Sequence, residues 1–198
     1  MTGITKERKA MAKQWRNTDK SYGMAVISVH WVMALAVIAM YPLGLYIVDL
    51  TYYDPEYKVV PHWHKSIGIL FGLLLAFRFG WKLFNKHPAA PANHSQAIRL
   101  LTKLGHAALY LLMLAVVISG YLISTADGRA IDVFNWFAIP ATPALIENQE
   151  DVAGVIHYWS ATALIVMAGL HALAALKHHF IDRDETLKRI VGIQQENS

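Results

Sequence analysis

Residues Val155 to Phe180 read VIHYWSATALIVMAGLHALAALKHHF, and this stretch decides the fold. No charged side chain stands between Asp151 and Lys177. A helix needs about 20 apolar residues to cross a hydrocarbon core, so this segment is long enough to do so. Within it sit His157 and His171, 14 residues apart. At about 100° per residue that spacing brings the helix back to within roughly 40° of its starting direction, and at 1.5 Å per residue it covers roughly 21 Å. Both imidazoles therefore belong to one helix face, at opposite ends of a membrane-length helix.

Three further stretches have the same character. Met24 to Tyr46 lies in a charge-free interval between Lys20 and Asp49, and Leu104 to Ala126 is charge-free. His64 to Phe84 is broken only by Lys65, Arg78 and Lys82. A chain of 198 residues that is 55% hydrophobic, with spans at 24–46, 64–84, 104–126 and 155–176, reads as an all-α integral membrane four-helix bundle. The first span is longer than a signal-peptide core and lacks a small-residue cleavage pattern, so it is expected to stay as an anchor.

Charge orders these spans. Six of the 18 Lys and Arg residues precede span one, five flank the connection between spans two and three, and four follow span four. Only Lys58, Lys65 and Arg129 fall on the other side. Basic residues concentrate in cytoplasmic segments, which places both termini in the cytoplasm. The same distribution accounts for the pI near 9.2 without a nucleic acid. Residues 1–20 form a basic cytoplasmic arm expected to lie near anionic lipid, 21–180 the membrane domain, and 181–198 a cytoplasmic tail. The outer connections carry Asp49, Asp54, Glu56, Asp127, Asp132, Glu147, Glu150 and Asp151. In the longest of them, DVFNWFAIP is aromatic enough to lie in the interface, or to cover something buried at the outer end of the bundle.

The chain has no cysteine, which excludes disulfides, iron–sulfur clusters and covalently attached haem. It has ten histidines. His30 and His171 lie at one depth near the cytoplasmic side, and His64 and His157 at another near the outer side. A lone intramembrane histidine can be a packed residue bonded to a carbonyl, but two pairs matched in depth suit the axial ligation of two non-covalent haems. His64 with His157 would hold an outer haem and His30 with His171 an inner one. The histidine faces carry small residues, Ala161, Ala168 and Ala175 on span four and Gly68 and Gly72 on span two. The two glycines equally fit a helix-packing motif. Arg78 follows His64 by 14 residues, in the inner layer, where it could pair with haem propionates or snorkel to the surface. His62 reads as an interface residue, and His87, His94, His178 and His179 as solvated.

ISVHWVMAL at 27–35, HKSIGILFGLLLAFR at 64–78, LGHAALYLLMLAVVISGY at 104–121 and the His-x13-His of span four with its trailing HH resemble the bacterial cytochrome b561 family. The resemblance covers all four spans. It implies two haem b groups on His30 with His171 and His64 with His157, and electron exchange with ubiquinone. In one branch it implies oxidation of superoxide at the outer face. His106 matches a family histidine at the depth of His30 and is read as a quinone-site or propionate neighbour. Lys58, Lys65, Arg129 and His62 are the expected attractors for superoxide on an otherwise acidic face. The same frame would serve a non-catalytic relay subunit working with a periplasmic redox partner. A His- and Met-lined metal transporter is the reading from another class. It is disfavoured because the intramembrane Met residues are scattered and no carboxylate lies within a span.

Overall fold

The structure is a computed structural model, and it describes residues 15–89 and 94–192. Four long helices dominate: α1 (Met24–Asp49), α2 (Val59–Leu83), α3 (Gln96–Thr125) and α4 (Gln149–Phe180). Between α3 and α4 lies a two-stranded antiparallel hairpin, β1 (Ile131–Val133) and β2 (Phe137–Ile139). A short helix, α5 (Thr186–Ile190), follows α4. Each of α1 to α4 is long and apolar enough to cross a membrane, with mean hydropathy of 1.5 to 2.2 over its best window. Leu35, Leu111 and Val155 stand exposed on them. A polypeptide in lipid must satisfy its backbone within its own segments, and helices with apolar outer faces do so.

The observed helices overrun the apolar spans. Ser95 caps α3 by accepting from the Ile98 amide at 3.3 Å, so that helix starts well before Leu104. In α4 the first turn holds Glu150 and Asp151 and the last Lys177, His178 and His179, which opposes the helix dipole at both ends. His64 and His157 therefore sit inside their helices rather than opening them. Around the bundle α1 packs on α2, α2 on α3, α3 most extensively on α4, and α4 on α1.

The aromatic DVFNWFAIP segment is a hairpin rather than a chain lying loosely in the interface. Phe134 and Asn135 both adopt positive φ, 50° and 58°, as a tight turn between twisted strands requires. The fully buried Ser66 hydroxyl of α2 accepts from the Phe134 amide at 3.1 Å and donates to the Asp132 carbonyl at 3.4 Å. The Phe134 ring stands edge-on to Trp63 and His62, with centroids 5.4 and 6.2 Å away. The hairpin is thus tied to the same turn of α2 that carries His64.

At the opposite end three segments interlock. The Asn17 side chain donates to the Lys86 carbonyl at 2.7 Å and accepts from the Gly23 amide at 2.8 Å, and the Ala89 amide donates to Asp19. A Cβ on Gly23 would run into the Trp15 carbonyl oxygen, so this close approach needs glycine. Arg189 donates to the Ala89 carbonyl and Trp31 to that of Ile190, which brings α5 back against α1. Of the expected basic arm, residues 15–20 are held in this network; residues 1–14 and 193–198 lie outside the described residues.

Candidate functional site

The four histidines expected as ligands meet in two layers. His64 of α2 and His157 of α4 face each other with ring centroids 6.2 Å apart, and His30 of α1 and His171 of α4 with centroids 6.3 Å apart. Two imidazoles on opposite sides of one metal, each with a metal–nitrogen bond of about 2 Å and a ring radius of roughly 1.1 Å, put their centroids roughly 6.3 Å apart. Both pairs match that spacing, and they lie a helix length apart because 14 residues separate their members on α4.

Neighbours orient the outer pair. His157 Nδ1 lies 3.0 Å from the Val116 carbonyl oxygen and 3.2 Å from the Ser119 hydroxyl. The Ser119 hydroxyl itself donates to the Ala115 carbonyl at 2.6 Å. A carbonyl only accepts, so His157 carries its proton on Nδ1 and presents the Nε2 lone pair, as metal-bound histidines do. His64 Nδ1 is buried and has no hydrogen-bond partner among the described residues.

Two glycines absent from the sequence reading flank this pair. A Cβ on Gly120 would lie 3.0 Å from His157 Cε1, and one on Gly44 would lie 3.4 Å from His64 Cε1. They let α3 and α1 pass close to the rings. Their signal was the spacing of small residues on spans one and three, masked by the many other small residues there. The two glycines singled out on α2 divide. A Cβ on Gly68 would meet nothing within 4 Å, which suits a cofactor face, whereas one on Gly72 would meet Val117 at 2.9 Å, which makes Gly72 a packing contact between α2 and α3.

In the inner layer Arg78 points inward rather than snorkelling. It donates to the Tyr110 hydroxyl at 3.2 Å, approaches Met33 Sδ, and lies 3.3 Å from His30 Nδ1. Arginine only donates, so His30 accepts at Nδ1 and holds its proton on Nε2. Ligation through Nε2 requires that proton to move to Nδ1 and Arg78 to turn away, toward an acceptor such as a propionate. His106 lies 5.5 Å from His171 centroid to centroid, closer than the spacing that suits a shared metal, and so stands beside the inner pair.

The expected outer cations differ among themselves. Arg129 pairs with Asp127 through Nε at 2.7 Å and through its terminal nitrogen, so its charge is largely neutralised. That contact holds the Asp127 carboxyl below the usual range and the Arg129 guanidinium above its own. Lys58 and Lys65 are exposed and form no ion pair among the described residues. His62 is half-buried against Phe134.

Of the histidines read as solvated, only His87 is exposed. His94 and His178 pack together with Asp184, and His179 keeps a buried, unpartnered Nδ1. The spacing that places His94 and His178 in contact runs through the tertiary fold and has no local signal.

Comparison with known proteins identifies the family. A family model described as prokaryotic cytochrome b561 matches residues 21–192. "Cytochrome b561 homolog 2" of Escherichia coli is 48% identical over 176 residues, covering 89% of this chain and 94% of that protein. "Probable superoxide oxidase CybB" of Yersinia pestis is 31% identical over 87% of this chain and 96% of its own length. "Cytochrome b561 homolog 1" of Escherichia coli is 25% identical over 83% of this chain. With haem-spaced histidines in a four-helix apolar bundle and a family match over nearly the whole described chain, the protein belongs to the prokaryotic cytochrome b561 family of haem b-binding bacterial membrane cytochromes.

Proposed function

We propose that this protein carries electrons across the bacterial inner membrane through two haem b groups, between a donor at the outer face and the ubiquinone pool. The observation that carries the reading is the pair of imidazole–imidazole spacings, 6.2 and 6.3 Å, in two layers of one bundle. Haem bound there supplies reversible one-electron chemistry of iron. His64 and His157 would hold the outer group and His30 and His171 the inner one. Val116 sets the tautomer of His157, Arg78 would neutralise propionate charge in the inner layer, and the apolar helices would exclude water from the path. His106, beside His171, is positioned to neighbour a quinone or a propionate.

Superoxide is the proposed donor. Two superoxide anions each give up one electron and leave as dioxygen, while one ubiquinone takes two electrons and two protons to become quinol. The name of the Yersinia relative supports this donor, and Lys58 and Lys65 would attract the anion. One observation favours the second reading, a relay subunit for a periplasmic redox partner: with Arg129 neutralised by Asp127, the outer face leaves few free cations against its acids.

The test starts with haem content. About two haem b per chain are expected, falling to about one in His64→Ala or His157→Ala, and likewise in His30→Ala or His171→Ala. Loss of a haem in His106→Ala but not in His30→Ala would overturn the inner assignment. Purified oxidised protein mixed with generated superoxide and excess ubiquinone should form quinol faster than superoxide disappears spontaneously. That rate should fall with salt and in Lys58→Glu and Lys65→Glu, because exposed charges are screened beyond about 10 Å at 0.1 M. No acceleration in a protein with normal haem spectra would leave the relay.

A further inference from the structure

Away from the haem layers, His94, His178 and Asp184 converge from three separate segments. His94 immediately precedes the cap of α3, His178 lies in the last turn of α4, and Asp184 lies in the turn that follows. One ligand nitrogen from each histidine and one carboxylate oxygen all lie within 4.8 Å of one another. His94 Nε2 is 2.7 Å from Asp184 Oδ2, and His178 Nδ1 is 3.6 Å from the same oxygen. The side chains of His94 and Asp184 are 9% and 3% exposed, so this is not a solvated surface group.

We propose that this cluster is a site for a single divalent transition-metal ion of the zinc class, distinct from both haem layers. Two imidazoles and one carboxylate form the donor set that borderline divalent ions prefer, and a fourth position would be left for water. Hard cations such as magnesium or calcium want oxygen ligands, of which the cluster offers too few.

The surroundings are built to hold the donors still. Asp182 Oδ2 accepts from His178 Nδ1 at 2.7 Å while Lys177 anchors Asp182, so this second carboxylate holds the His178 ring in place beside Asp184. The Thr186 amide donates to Asp184 Oδ1 at 2.8 Å, and Arg99 donates to the His94 carbonyl at 3.0 Å. Arg183 takes a left-handed conformation, φ 55°, which a non-glycine residue adopts at a cost, and it is the turn at Arg183 that sets Asp182 and Asp184 around His178. An ion here would join the start of α3, the end of α4 and the segment leading to α5.

The test uses tag-free, haem-loaded full-length protein in detergent, stripped with a chelator and titrated with Zn2+. Bound metal is measured after dialysis, and thermal unfolding is followed in parallel through the haem absorbance. One zinc per chain and a raised unfolding temperature are expected. At least tenfold weaker uptake is expected in His94→Gln and in Asp184→Asn, with unchanged haem spectra, and no change in His87→Ala. His94→Gln retains hydrogen-bonding capacity, so it separates loss of a ligand from loss of the clasp. Equal uptake by the wild type and the ligand variants, or no saturable uptake by the wild type, would show a hydrogen-bonded cluster only and overturn the site.

Discussion

His157 shows how much one residue's surroundings decide. Its Nδ1 is committed to the Val116 carbonyl and its Cε1 edge stands against Gly120, so the ring has one orientation open to it. Gly120→Ala would place a methyl 3.0 Å from that edge, tighter than ordinary contact, and the ring must give by a few tenths of an ångström. Partial loss of one haem is expected, smaller than in His157→Ala, read from haem content and the oxidised spectrum. At Arg78 the effect is electrostatic. Removing a cation beside a redox centre favours its oxidised, more positive form. In Arg78→Gln the inner couple should therefore move to lower potential while the outer couple stays in place, as a redox titration would resolve. Equal shifts in both couples would place Arg78 outside the inner site.

At the scale of elements, the hairpin of β1 and β2 depends on a single hydroxyl. Ser66→Ala removes the acceptor for the Phe134 amide in a part-buried contact. A buried amide left unpaired costs about 1 to 3 kcal/mol. The expected result is faster hydrogen exchange and proteolysis across 131–139, with haem content retained; unchanged protection would mean that the aromatic packing on Trp63 suffices. The turn between α1 and α2 responds to pH. The Thr51 hydroxyl and amide donate to Asp54 at 2.7 and 2.6 Å and hold its carboxyl below the usual range. A carboxyl depressed on folding contributes stability above the unfolded value, near 3.9, and loses it as pH falls through the folded value. The Thr51 amide proton resonance should accordingly titrate below about pH 3.9, and Thr51→Val should move the Asp54 titration up toward the ordinary value.

For the whole molecule, the charge bias gives an orientation that can be checked directly. The basic end comprises the interlocked segments around Asn17, Lys86 and Arg189. The other end carries the hairpin and the start of α4. A cysteine at Asn148 should react with an impermeant thiol reagent in intact cells. One at the exposed Lys86 should react only after the membrane is opened. The reverse pattern would invert the bundle and exchange the outer and inner haem sites, leaving their ligand pairs unchanged.

Four apolar runs and the 14-residue intervals on spans two and four were sufficient, in the amino-acid order alone, to set the helix count, the two-layer arrangement and the ligand candidates, because helical periodicity is local and lipid enforces helices. The same order leaves His30 and His106 at one depth beside His171, and only the approach of α1 and α3 to α4 sets their spacings to it at 6.3 and 5.5 Å. Nor could it show that Arg78 turns inward to His30, that Arg129 pairs with Asp127, or that Gly120 rather than Gly72 lies beside His157. Those depend on which side chain a neighbouring helix brings within hydrogen-bond or van der Waals reach. The cluster of His94, His178 and Asp184 is the clearest case. Its hydrogen-bonded members His94 and Asp184 are 90 residues apart, and their contact follows only from the way the ends of α3 and α4 meet the turn before α5.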